Sequence, residues 1–305
     1  MADPDSHVDA QLVNAFLSLQ LAGGLGFSII ILTALGSPNV KRNSTWYTFC
    51  LAWILSCISY TFIFLVGQQD SPNFGVCVTQ AAGIYSAPSL TSCGTLAFNI
   101  DMLIGVRAAS GNLPQQRRHS ITLALLIVPF IFWLLLFLGF LLFGVNHPGL
   151  VQKGPNGTYC DLNSFTPAKI SGLIVVTSTL AILVIQGYIG TRLFKSRKLL
   201  KDRQLTTMTV RVMVFSLLGA LGLGVGFAYV LFSKEGPIFD ILLALLPACG
   251  IVIFGTHADL INVWLFWRRP RGLGSETDDS ELKSPSIYVP TPTSYRRPLS
   301  RGQLR

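Results

Sequence analysis

Few residues in this chain carry charge where charge is expensive. Asp101 stands near the end of a long apolar run (FNIDMLIGVR, 98–107), and His257 and Asp259 stand inside another, with Asn262 three residues beyond the second acid. Ionisable groups in such surroundings are functional candidates by default, because each must be paired, hydrogen-bonded or neutralised. Asp259 and Asn262 share a helical face, an arrangement that suits either an interhelical hydrogen-bonding pair or a small cation site. Asp259 precedes Arg268 by nine residues, which puts it about 13 Å inside the end of its run. Asp101, His257, Asp259 and Asn262 together form a candidate inner polar switch.

Asp101 lies six residues before Arg107, roughly 240° away around a helix, so the two do not pair. Gly94, Ala97 and Gly105 share its face, small residues that let a neighbouring helix come close. The partners this offers are Lys41, Arg42, Tyr47, Thr48, Arg117 and Arg118. The alternative is a carboxylate that is solvated at the headgroup boundary, or protonated.

These groups need an apolar frame. Of 305 residues, 50% are hydrophobic and only 12% charged, against about 25% charged in a soluble domain. Seven apolar stretches are long enough to cross a bilayer as helices: 12–36, 44–67, 78–106, 120–144, 168–192, 208–232 and 238–267. The expected fold is therefore an all-α integral membrane bundle of seven helices spanning 12–267. A short extracellular segment (1–11) precedes it and a disordered cytosolic tail (268–305), rich in Ser, Thr and Pro, follows. The first stretch has neither a basic n-region nor an A-x-A cleavage site and reads as a retained helix. Of the 23 basic residues, all but Lys153, Lys169 and Lys234 fall on one side of this frame. That asymmetry predicts an extracellular N-terminus and a cytosolic C-terminus, in the plasma membrane. The net charge of +9 lies in short clusters rather than on one basic face, which argues against nucleic-acid binding.

Cys50, Cys57, Cys93 and Cys249 fall within predicted helices, where they pack as small apolar residues. Cys77 and Cys160 alone fall on the oxidising side, where a bridge would pin the loop between helices 4 and 5 across the mouth of the bundle. Two unrelated thiols are the alternative. Asn156, in the sequon Asn156-Gly157-Thr158, is a glycan acceptor in that loop, whereas Asn43-Ser44-Thr45 is predicted to be cytosolic and to stay bare.

Seven helices, an outer N-terminus and a Cys at the top of helix 3 facing one in the second outer loop resemble a G-protein-coupled receptor. The stretches STWYTFCLAWILSCISYTFIFLVGQQ (44–69) and CVTQAAGIYSAPSLTSCGTLAF (77–98) resemble an orphan group of seven-transmembrane, receptor-like proteins of mushroom-forming fungi. The resemblance covers residues 12 to about 267 and implies membrane signalling without naming a ligand. Asp101, 24 positions after Cys77, takes the acidic place of the D/E-R-Y triplet of rhodopsin-like receptors, but Met102 and Leu103 replace its arginine and aromatic. Asn262-Val263-Trp264-Leu265-Phe266 matches the spacing of N-P-x-x-Y, with Val for Pro and Phe for Tyr.

Pro88 and Pro247 lie at matched depth in helices 3 and 7, about 14–16 Å from the outer end. Proline bends a helix by removing a hydrogen bond, so the pair outlines a pocket of Tyr85, Pro88, Ser89, Ser92, Phe227, Tyr229 and Pro247. With no acid or base at that depth, the expected ligand is small, neutral and largely apolar. Kinks that hold no ligand are the alternative. GALGLGVG (219–226), with Gly222 and Gly226 four apart, reads as a packing face or a flexible point in helix 6.

Arg107, Lys195, Arg197 and Lys198 form a candidate face for a heterotrimeric G protein, and the basic loop 195–204 also suits anionic lipid. A small-molecule transporter or permease is the competing class, against which the missing three-helix repeat counts. An enzyme is not expected, since His257 is the one intramembrane histidine and cannot build a zinc site alone. No cofactor is expected either. A retinal Schiff base would need a lysine within 238–267, and there is none.

Overall fold

Backbone polar groups in lipid must satisfy one another within a segment, so an apolar run of this length has the helix as its solution. In the computed structural model, described for residues 4–38, 40, 42–109, 115–154, 157–195, 203–232 and 237–265, each apolar run is helical. The elements are α1 (Pro4–Gly36), α2 (Ser44–Leu65), α3 (Phe74–Ala109), α4 (Gln115–Asn146), β1 (Val151–Lys153), β2 (Cys160–Leu162), α5 (Phe165–Lys195), α6 (Arg203–Phe232), α7 (Pro237–Gly255) and α8 (Ala258–Trp264). Five of them, α1 to α5, are long and apolar enough to cross a membrane, and shorter apolar stretches occupy 206–222 of α6 and 240–255 of α7. The chain is thus an all-helical protein suited to a bilayer, with one short hairpin.

Packing sets the arrangement. α3 touches α2, α4 and α5; α5 meets α6, α6 meets α7, and α7 returns to α1, which lies on α2. The contacts close a ring of six helices, with α4 packed on α3 from outside. Burial agrees, since α3 is 67% buried along its most apolar window and α4 only 11%. The tightest crossing joins α1 to α7. A Cβ on Gly23 would sit 2.7 Å from Pro247, one on Gly26 2.4 Å from Ile251, and one on Gly250 2.6 Å from Phe27. Glycine at these positions makes room for the side chains of the facing helix, and a Cβ would force Pro247, Ile251 or Phe27 to shift.

Several details depart from the sequence reading. Residues 4–11, expected to precede the first helix, are its opening turns, with Pro4 at the first position, where its missing N–H costs nothing. The run 238–267 is not one helix, because Thr256 is a turn and His257 is extended, dividing α7 from α8. The expected packing glycines of α6 contribute little. Gly219 and Gly224 face open space and Gly222 reaches only Leu246, at 3.9 Å; the side of Gly226 and the tail 268–305 lie outside the described residues.

The core of the half away from the disulfide is aromatic. Phe49 of α2 contacts Phe27 of α1, Trp53 one turn on, Phe98 of α3, Phe215 of α6 and Phe254 of α7, with ring centroids 5.1–6.4 Å apart. A second, smaller cluster nearer the hairpin joins Phe16, Tyr60, Ile84, Ala87 and Ala244.

Candidate functional site

At one end of the bundle, β1 and β2 pair antiparallel, with Lys153 opposite Cys160. A disulfide joins Cys160 to Cys77 in the first turn of α3. Gln80, one turn further along, accepts a hydrogen bond from the Cys160 amide through Oε1 (2.9 Å) and donates to the Tyr60 carbonyl through Nε2 (3.0 Å). Lys153 Nζ donates to the Gln69 carbonyl, and Gln69 donates to the carbonyl of Gly157. The far side is clasped by Asp240, in the first turn of α7. Its carboxylate accepts from Tyr159 Oη at 2.7 Å and from Thr158 Oγ1 at 3.2 Å. Burial, reinforced by this carboxylate, pushes the Tyr159 phenol well above its ordinary range, so it remains a donor. The hairpin is therefore tied to α3, to α7 and to the loop after α2 at once.

Below the hairpin, α3 is rich in Ser and Thr, and most of these hydroxyls bond back to carbonyls of their own helix. Ser86 bonds to Gly83, Thr91 to Pro88, Ser92 to Ser89 and Thr95 to Thr91. Such back-bonding satisfies hydroxyls in an apolar setting and eases the bend at Pro88. Ser89 is the exception: its side chain is fully buried and its Oγ has no partner. Tyr85 and Cys93, one turn to either side on the same face, meet Phe140 of α4 and Ser178 of α5.

Several residues of the pocket expected from the prolines have partners of their own. Tyr85 is a brace, donating from Oη to the Leu162 carbonyl of β2, and the Ser92 hydroxyl is used within α3. Pro247 packs against Gly23 of α1. The side chains of Phe227 and Tyr229 lie outside the described residues.

At the opposite end, Asp101 is 3% exposed. It accepts hydrogen bonds from Thr45 Oγ1 at 2.8 Å and Asn43 Nδ2 at 3.1 Å, both on Oδ2. Asn43 occupies the N-cap position of α2 and makes no side-chain cap bond, while its Nδ2 donates to Asp101. Gly94, on the same face of α3, lets Ala52 of α2 come close. The expectation of a tether to the start of α2 holds, but among the described residues its donors are an amide and a hydroxyl, not Arg42, Tyr47 or Thr48; the side chains of Lys41, Arg117 and Arg118 lie outside the described residues.

The base expected there, Arg42, goes elsewhere. Its Nη2 lies 3.6 Å from Asp259 Oδ2, and His257 Nδ1 lies 3.3 Å from the same oxygen. The guanidinium stands where a cation beside Asp259 would stand, and the side chain of Asn262 lies outside the described residues. Arg42 also lies over the Trp46 ring at 5.7 Å. Burial lowers its pKa from the ordinary value and Asp259 opposes the shift. Arg211 of α6 donates to the carbonyls of Ile253 and Thr256 and to Thr256 Oγ1. Those acceptors end α7, so the arginine satisfies groups that the break leaves open.

No family model matches the chain, and neither does any curated protein. Of the proposed partner face, Arg107 is exposed and lies 5.3 Å from the Tyr188 ring, which Arg192 flanks from its other contact at 5.2 Å. Lys195 is exposed at the end of α5, and Arg197 and Lys198 lie outside the described residues, as does Asn156. Among the described residues, no three His, Cys, Asp or Glu side chains come together to hold a metal. Sequence reasoning missed Asp240. Its position at the start of a helix, where an acid complements the dipole, disguised a buried carboxylate; the available signal was a Thr-Tyr pair next to the bridging cysteine.

Proposed function

We propose that the chain is a receptor-like membrane signalling protein, with seven spans, an extracellular N-terminus and a place in the plasma membrane. It senses a small neutral or apolar ligand at the hairpin end and engages a heterotrimeric G protein at the other. The observation that carries this reading is the Phe49 hub. One side chain touches rings from α1, α2, α3, α6 and α7. A close-packed block of this kind obstructs passage along the axis, as a permease would not want. It also couples helices mechanically, because packed interiors shift between discrete arrangements rather than deform smoothly. The unpartnered Ser89 hydroxyl beneath the clamped hairpin supports a ligand that offers one hydrogen-bonding group on an apolar body. The exposed Arg107 and Lys195, with Arg197 and Lys198 in the adjoining basic loop, support the partner face.

The test is co-purification with a Gα subunit, with and without a non-hydrolysable GTP analogue. A complex that dissolves with nucleotide, and that weakens when Arg197 and Lys198 are neutralised, is the expected result. Ligand uptake into vesicles with no Gα complex in either state would replace this reading with a transporter.

A further inference from the structure

Arg42 stands out among the described polar groups. Its side chain is 2% exposed, yet Nε, Nη1 and Nη2 all lack a hydrogen-bond partner. Its interactions are a pairing with Asp259 at 3.6 Å, beyond hydrogen-bond length, and the face of Trp46. His257 repeats the pattern, since it is buried and neither ring nitrogen has a hydrogen-bond partner. Arg211 acts electrostatically on both, but its own donors are spent on the end of α7. Among the described residues, Arg42 and His257 thus share one carboxylate, that of Asp259, and none of their donors makes a hydrogen bond.

We propose that Arg42 and His257 form a binding site for a phosphate-bearing anion, which displaces the Asp259 carboxylate. A tetrahedral phosphate offers several acceptor oxygens to a forked guanidinium and a neighbouring ring N–H, where one carboxylate oxygen off the hydrogen-bond geometry serves neither. Asp259 is placed to yield. Its side chain is 38% exposed, against 2% for that of Arg42. Arg42 lies in the link between Gly36 and Ser44, at the ends of two helices long and apolar enough to cross a membrane, and His257 and Asp259 lie at the break between α7 and α8; basic groups at the end of a span are placed to meet lipid phosphates. The same chemistry fits a headgroup phosphate monoester or free inorganic phosphate. It is separate from lipid contact by the loop 195–204 and does not depend on coupling to a G protein.

The experiment uses the full-length protein in phosphatidylcholine nanodiscs. Native mass spectrometry and Tm are read after addition of phosphatidic acid or of millimolar inorganic phosphate. Wild type retains the ligand and gains Tm, Arg42→Gln loses retention by about tenfold or more, and His257→Gln weakens it. Asp259→Asn, which removes the competing carboxylate, tightens binding; if Asp259 served only as a structural counter-ion, that variant would lose Tm and gain no affinity. Retention of phosphatidic acid without competition by inorganic phosphate identifies a headgroup site, and equal competition identifies a soluble anion. If neither binds, or if Asp259→Asn fails to tighten binding, the proposal is overturned. This arm stands even if Arg42→Gln does not fold.

Discussion

Three carboxylates, Asp101, Asp240 and Asp259, are kept in an apolar protein by three different means. Asp101 accepts from an amide and a hydroxyl, Asp240 from a phenol and a hydroxyl, and Asp259 faces a guanidinium with no hydrogen bond between them. Hydrogen bonds to a charged group contribute about 1.5–3 kcal/mol. Tyr159→Phe is therefore expected to cost about that much locally, read as faster amide exchange across 157–162 with little change elsewhere. Ser89→Ala has the opposite sign, because removing a buried hydroxyl without a partner relieves a desolvation cost of about 1–3 kcal/mol. Its Tm is expected to rise or hold while any ligand response falls; a clear drop in Tm would show that the hydroxyl has a structural partner. The segment that holds Asp101 was legible from the small residues on its face. The donors were not, because charge alone favours Arg42, and nothing local reveals that an acid 217 positions along the chain claims that base.

At the scale of elements, proline and glycine acted differently from their appearance in sequence. The glycine-rich stretch of α6 suggested a packing face, but the close approach belongs to glycines on α1 and α7, whose spacing gives no warning. Gly23→Val is expected to destabilise the protein by about 1–3 kcal/mol, as overpacking does, and to loosen α1 from α7. Gly219→Ala, with nothing within 4 Å, is expected to be neutral or slightly stabilising, since alanine is the better helix former. Thermal melts of both variants in one detergent make the comparison. The breadth and order of the helices were legible, because length and apolarity leave a lipid-buried chain little choice. The break at Thr256 and His257 was not, because Gly255 is a weak stop signal inside so apolar a run and the arginine from α6 that supports it is remote in sequence.

Across the whole molecule, the two ends are built differently. One is fastened covalently and by side-chain hydrogen bonds to two helices and a loop; the other holds buried charge with donors unspent. The proposed orientation is checked by glycosidase treatment of the expressed protein. A mobility shift abolished by Asn156→Gln, and unaffected by Asn43→Gln, is the expected result; a shift that depends on Asn43 would invert the topology. The bond between α2 and Asp101 bears on how the chain is made. Asn43 and Thr45 are the two residues by which a glycosylating enzyme recognises a sequon, and both are consumed by the Asp101 carboxylate. A nascent chain threaded the wrong way would offer Asn43 to that enzyme before Asp101 had emerged. The sugar would then occupy the amide on which the fold depends. Misinsertion would thus be both marked and made irreversible, and the cell's surveillance would receive a labelled molecule unable to finish folding.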